Sequence, residues 1–298
     1  MSQACSISTG KTYGLQRVCR IWSFARSTIY EHRQQRRFAR PVNRRGPQGP
    51  CSDEQLADDV RTVLIESPFH GEGYRKVWAK LRYKGVRTSK ERARRVMREN
   101  SLLAPQRAGN RHGPKAHDGT ITTEVPNEVW GTDMTTTVTT KEGKAAVFVA
   151  VDHFNSECVG IHASKRQTRF EALEPIRQAV REYYGGFTED ITKGLKIRHD
   201  HGSQYMADEF QDEIEFLGMT SSPSFVREPE GNGCAERFIR TLKENLLWVR
   251  TFETVEQLRL AVLKFKKTYN EQWMIQKFGY QTPSQARKDA CKNPKKAA

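Results

Sequence analysis

The sequence has no apolar run of about 18 residues, so a membrane-spanning helix is not expected. Its start lacks the apolar stretch of a secretory signal. Cysteine is scarce: Cys5, Cys19, Cys51, Cys158, Cys234 and Cys291 are scattered, with no CxxC and no Cys/His spacing suited to zinc. That argues against a disulfide scaffold and a zinc module, and predicts reduced thiols in a cytoplasmic protein. No internal repeat and no leucine-zipper heptads are visible. Acid is short relative to base, with 35 Asp+Glu against 50 Lys+Arg, a net charge of +15. Such an excess points to a polyanionic partner, most often nucleic acid. At 298 residues and 36% apolar content, two domains and a sizeable core are expected.

The charge is uneven. Residues 1–120 hold 25 basic and 10 acidic side chains, whereas residues 121–298 hold 25 of each. The stretch 121–286 is slightly acidic, with 20 basic and 24 acidic residues. A basic arm is thus joined to a mildly acidic body.

Within residues 1–40, Leu15, Val18 and Ile21 share one helical face, Trp22-Ser23-Phe24 interrupts it, and Ala25 to Arg36 resumes it. Two short helices around a turn make a helix-turn-helix pattern, with Arg26, Ser27, Thr28 and Tyr30 available to phosphates or base edges. Ser23 stands where glycine is usual. A Pro/Gly-rich linker over 41–51 follows. A basic helical module is predicted over 52–105. Its first helix opens at the capping-box spacing Ser52-x-x-Gln55 and buries Leu56, Val60, Val63 and Leu64. A second helix, from Gly73, turns Val77, Trp78 and Leu81 inward. A third starts at Thr88-x-x-Glu91, buries Ala93, Val96 and Met97, and is ringed by Arg92, Arg94, Arg95 and Arg98. Arg94 and Arg95 are candidate DNA contacts. A second polar linker covers 106–126.

The texture then changes. Trp130–Val138, Ala145–Val151 and Cys158–Ala163 read as a three-strand meander turning at Glu142-Gly143. A helix over Arg169–Tyr184 buries Phe170, Leu173, Ile176, Val180 and Tyr183. Leu195–His199 is a fourth strand, Ala207–Leu217 a helix and Met219–Ser222 a short strand. Long helices cover Asn232–Arg250 and Thr254–Tyr269. The order is α/β.

Three carboxylates stand out. Asp133 lies inside a strand, where a charge is costly unless paired or metal-bound. Asp200 follows the fourth strand, at a common ligand position in α/β sheets. Glu236 lies in the first turn of the long helix. Asp200 and Glu236 are separated by 35 residues. With TDMT around Asp133, HDHGSQY around Asp200, NGCAERFIRTLKEN around Glu236 and GYQTPSQAR at 279–287, the chain resembles the D,D(35)E transposases. Specifically, it resembles the second-frame (OrfB-type) product of the insertion-sequence-three family. The resemblance spans nearly the whole chain, since the helix-turn-helix and the GYRKVWAKL module are also similar to that family's N-terminal region.

The resemblance implies an RNase H-like integrase core, a mixed five-stranded sheet with helices, over 127–287. Small all-α helix-turn-helix-like modules precede it and a basic tail, 288–298, follows. It implies a DNA transposase with Asp133, Asp200 and Glu236 as catalytic metal ligands. Two Mg²⁺ ions, replaceable by Mn²⁺, suit an oxygen-only site of this kind. Glu236, Arg240 and Lys243 share a helix face, so the cations are expected to grip terminal phosphates. Gln204 and Tyr205 are expected to shape the site or touch DNA. His201, Asn232 and Glu244 are expected beside the ligands in supporting roles. Asp152 is read as a strand-end residue, and His199-x-His201 as orienting water or DNA rather than holding zinc. Partners implied are double-stranded DNA (terminal repeats and target), further copies of the chain on DNA, and an upstream-frame product, of which this chain would be the C-terminal part in a frameshift fusion. A nucleoid-associated location follows. The Tyr269-Asn270-EQWMIQKFGY stretch departs from the family's Arg-Pro-His pattern, and the zinc domain of retroviral integrases is absent. A DNA-binding regulator without catalysis, and a nuclease without strand transfer, are the other readings.

Overall fold

The computed structural model describes residues 3–38, 51–105, 123–224 and 232–292. Residues 41–50 and 106–122 of the expected linkers, and 293–298 of the expected tail, lie outside the described residues. The chain divides into two compact units, Met1–Pro50 and Cys51–Ala298.

In the first unit, α1 (Leu15–Ile21) and α2 (Arg26–Phe38) flank the expected turn. Ser23 adopts φ 51°, the left-handed conformation that glycine takes most readily. Cys19 is the buried apolar residue of this unit among the described ones, while Ile21, Trp22, Phe24 and Tyr30 are exposed.

The second unit begins with α3 (Asp53–Glu66), α4 (Tyr74–Tyr83) and α5 (Lys90–Glu99). The capping box forms in both directions: the Gln55 amide donates to Ser52 Oγ and the Ser52 amide to Gln55 Oε1. Leu56, Val60, Val63, Val77, Leu81, Val96 and Met97 make the module's core. Two expectations shift. The cap of α5 is Ser89, not Thr88, whose carbonyl instead accepts the Trp78 indole N–H at 2.8 Å. Trp78 is only half-buried and turns its ring to Tyr280, because that bond holds it aside from the module core.

The sheet runs β3–β2–β1–β4–β5. Its strands are β1 (Val129–Thr139), β2 (Gly143–Asp152), β3 (Cys158–Ser164), β4 (Lys196–His199) and β5 (Thr220–Pro223). β1 to β3 form the antiparallel meander, while β1–β4 and β4–β5 pair in parallel. The meander's central strand is apolar on both sides because helices cover both faces. Ala146, Phe148 and Ala150 pack against α6 (Arg169–Tyr184) and α7 (Asp208–Phe216). Val147, Val149 and Val151 pack beneath α8 (Gly233–Leu242) and α9 (Val255–Gln272). Phe170, expected inward, is half-exposed at the start of α6, where Arg169 lies over its ring. α10 (Pro283–Lys292) runs through residue 287, so no boundary falls there.

The helical module and the sheet are not spatially separate. Phe69, just past α3, belongs to the core under α8 and α9, edge-on to Phe265 at 6.3 Å and to Trp273 at 4.9 Å. The His70 amide donates to Asn245 Oδ1 at 2.7 Å. A chain starting at residue 121 therefore loses part of its own core. Burying a phenylalanine is worth about 1.5–3 kcal/mol, so this chain will melt below one starting at residue 51. Thermal denaturation of the two truncations checks this.

Candidate active site

β1 and β4 pair from Val129–Lys196 to Gly131–Arg198 and then part. Extending that parallel register by two residues sets Asp133 level with Asp200, on strands about 4.8 Å apart where paired. The two aspartates thus occupy equivalent positions where neighbouring strands splay, the kind of crevice in which open sheets bind ligands. Asp133 opposes Val149 across β1–β2, so its side chain shares that residue's face, beneath α8. Glu236 sits in the first turn of α8.

Asp133 is half-buried and accepts the Met134 amide at 2.7 Å. Burial, reinforced by the charges of Asp200 and Glu236, pushes its carboxyl up to about 6; Met134 and Lys243 oppose the shift. Burial also raises Glu236. Asp200 is exposed, and its Oδ1 accepts the Gly202 amide at 2.9 Å. The loop closes tightly here: a Cβ on Gly202 would stand 2.5 Å from Gln204 Nε2 and 2.9 Å from Asp200 Oδ1. Gln204 therefore lies beside Asp200. Among the described residues no three His, Cys, Asp or Glu side chains are close enough to hold an ion as they stand. The three carboxylates nonetheless fit Mg²⁺ by donor type, being hard oxygen ligands carried on three elements with mutually unfavourable charges.

The supporting residues divide. Tyr205 is fully buried, stacked at 5.7 Å on His199, and the Asp133 and Asp200 charges reach it. Its burial corrects the expectation of a DNA contact: it is part of the floor. His199 is buried between the Asp200 carbonyl and Ser221 Oγ, and the His201 ring bonds the Ser224 carbonyl at 2.6 Å. Arg240 is exposed and pairs with Glu244 at 3.0 Å. The expected unbroken helix over Asn232–Arg250 widens into a π-turn at Lys243–Leu247. Arg26 and Thr28 lie at the start of α2, in the first unit. Arg94 is half-exposed beside Glu91, 3.7 Å away. Arg95 pairs with Asp53 and Glu99, each at 2.9 Å, so the fold already employs its charge.

Asn232 was expected beside the ligands, and its attachments are specific. Its Nδ2 donates to the Thr132 carbonyl at 2.9 Å, tying the start of α8 to the residue before Asp133. Its Oδ1 lies over Gly131, with the ring of His153 alongside. A Cβ at Gly131 would stand 2.6 Å from Asn232 Oδ1 and 2.7 Å from His153 Nε2. Sequence inspection missed Gly131 and His153, because neither stands out until α8 is laid on the sheet. Gly131→Ala will push Asn232 and the start of α8 away from β1. A misplacement near 1 Å costs about a hundredfold in rate, so turnover should fall that far while DNA affinity holds. Single-turnover kinetics beside a binding titration separate the two.

Asp152 ends β2 and is fully buried, as a strand-end residue. It accepts the Asn127 and Phe154 amides, both at 2.9 Å, and pairs with Arg287 at 2.7 Å. Arg287 also pairs with Glu157 and donates to Asn127 Oδ1 at 2.8 Å. The final arginine of GYQTPSQAR is thus a buried counter-charge.

Family models describing an integrase core domain match residues 124–229 and 217–283, and one describing an HTH-like domain matches 52–109. The HTH-like match falls on the α3–α5 module rather than on α1–α2. The transposase for insertion sequence element IS904 of Lactococcus lactis is 27% identical over 247 residues, covering 78% of this chain and 95% of the relative. The transposase InsD for insertion element IS2 of Escherichia coli is 25% identical over 240 residues, covering 78% of each. Among solved structures, the HTLV-2 integrase catalytic core domain in complex with magnesium aligns with a TM-score of 0.42 and 22% identity, over 55% of this chain and 97% of that one. The catalytic core domain of BIV integrase aligns at 0.42 and 19%, over 56% and 98%.

Proposed function

From an integrase core that follows an HTH-like domain, in a chain related to transposases of insertion sequences, we infer a DNA transposase of the second-frame, insertion-sequence-three type. It cleaves and joins element ends by Mg²⁺-dependent phosphodiester transesterification. The observation that supports this reading is the level register of Asp133 and Asp200 at one splayed strand end, with the Asp133 carboxyl raised by burial and by the charges of Asp200 and Glu236.

Asp133, Asp200 and Glu236 would hold Mg²⁺ or Mn²⁺, which when bound neutralises charge on the phosphate and activates the attacking hydroxyl. Asp133 holds a fixed position in the sheet, while the more exposed Asp200 and Glu236 close on it. Asn232 sets the start of α8 against β1. Lys243 and Arg240 face the phosphates of the DNA end, and Gln204 borders the cleft at Asp200. Tyr205 and His199 form a dry floor beneath. Duplex DNA, in element ends and target, is the substrate. The protein acts in the cytoplasm at the nucleoid, as a multimer on DNA and with an upstream-frame product.

The test uses a duplex carrying the element's own end, a target duplex and Mg²⁺. Products covalently joined to target are expected. Nicks without joining would identify a nuclease. Binding without cleavage would identify a regulatory DNA-binding partner.

A further inference from the structure

The HTH-like module carries twelve basic residues, and six of them are held in ion pairs by carboxylates of the same module: Arg61, Lys80, Lys84, Arg92, Arg94 and Arg95. Three of the four α5 arginines are engaged this way, whereas two cations near the α4–α5 connection are not. Arg82, at the end of α4, and Lys90, at the start of α5, have no carboxylate partner among the described residues. Both stand over one ring: the Arg82 guanidinium lies 5.0 Å and the Lys90 ammonium 4.6 Å from the centre of Trp78. The Trp78 N–H is already committed to the Thr88 carbonyl. The indole is therefore a fixed platform in contact with two cations.

Opposite them is a residue of the catalytic body. Tyr280 meets Trp78 edge-on at 5.8 Å and is 8% exposed, and its hydroxyl is buried without a hydrogen-bond partner. Its backbone is held at φ 72°, unusual for a residue with a side chain. Trp78, Arg82, Lys90, Gly279 and Tyr280 line one cleft between the module and the turn before α10. Two cations without a carboxylate partner line this cleft together with Tyr280, whose hydroxyl is unpaired, and such a set suits an anion that accepts several hydrogen bonds.

We propose that this cleft binds a backbone phosphate of duplex DNA, gripped by Arg82 and Lys90 from the HTH-like module and by the Tyr280 hydroxyl from the catalytic body. The site rests on the transposase reading and extends it: DNA is held jointly by both parts, at a point outside the carboxylate cleft. It exists only while the module is docked, so it couples DNA grip to the relative placement of module and sheet.

The experiment titrates the full chain with a 40-bp duplex of arbitrary sequence across a salt series. Each neutralised phosphate contributes roughly 0.9 to the log–log slope. The double variant Arg82→Gln/Lys90→Gln is expected to lower that slope by about 1 to 2. Tyr280→Phe, which keeps the ring, should weaken binding severalfold without lowering the melting temperature. Inorganic phosphate, exchanged for chloride at constant ionic strength, should leave the duplex bound. Wild-type slope in the double variant overturns the site, as does wild-type affinity in Tyr280→Phe. Displacement of the duplex by inorganic phosphate would make it a free-phosphate site and overturn the DNA assignment. A wild-type chain that fails to bind any duplex would instead sink the transposase reading itself.

Discussion

Asp200→Asn will bind element ends like the wild type and join none of them. Removing one preorganised charge from a reacting centre costs about 10²–10³ in rate, and losing a metal ligand should cost at least that much. Asp200 is the cleanest choice because it is exposed and its amide substitute can still accept the Gly202 N–H. Asp133→Asn should be equally inactive but differ in stability. In the folded state burial and the neighbouring carboxylates raise the Asp133 carboxyl from 3.8 to about 6. A raised acid is neutral in both states below its unfolded value and destabilises the fold once ionised above its folded value. The variant should therefore match the wild type below pH 4 and exceed it above pH 6, by on the order of 3 kcal/mol. Mg²⁺ should raise the wild-type melting temperature and leave the variant's unmoved. Joining assays and melts with and without chelator read both effects. Residual joining above a tenth of wild type in Asp200→Asn would exclude the assigned role.

The second large effect is one of stability. Arg287→Met will destabilise the protein by about 3–5 kcal/mol, the cost of stripping the partner from buried charges. Asp152 and Glu157 are both buried and share this guanidinium, which lies over the Tyr183 ring at 4.3 Å. The companion Asp152→Asn should cost less and retain joining activity, since it neutralises one charge and takes no part in the carboxylate cleft. Urea denaturation of both variants provides the comparison. An Arg287→Met loss under about 1 kcal/mol would place the pair among exposed ion pairs, against its burial.

Much of the fold was legible because its strands and helices obey simple periods. The meander, α6 and the strand ends agree with their sequence patterns to within about two residues, the usual uncertainty of element boundaries. The proposed triad rests on spacing and flanking words, and the parallel register of β1 and β4 sets two of its members, Asp133 and Asp200, level with each other. Three other features were hidden for one shared reason: each depends on contacts across long sequence separations. Phe69 looks like a loop residue of a separate arm, yet it belongs to the core beneath α8 and α9. Arg95 looks like a free cation until Asp53 is brought beside it. Tyr205 sits in a polar motif that suggests a surface, and only the packing of α7 against β4 buries it. The π-turn at Lys243–Leu247 is invisible to a pattern built on 3.6 residues per turn.

The Arg287 contact also has a temporal side. Its carboxylate partner Glu157 lies 130 residues earlier in the chain. At 5–20 residues per second of synthesis, that separation is on the order of ten seconds. Throughout that interval the nascent β1–β3 meander carries two carboxylates destined for burial and no cation to meet them. The ion pairs that cover Asp152 and Glu157 in the folded protein cannot form until α10 has emerged. Burial of these two carboxylates with their counter-charge is thereby tied to the last helix of the body to be synthesised.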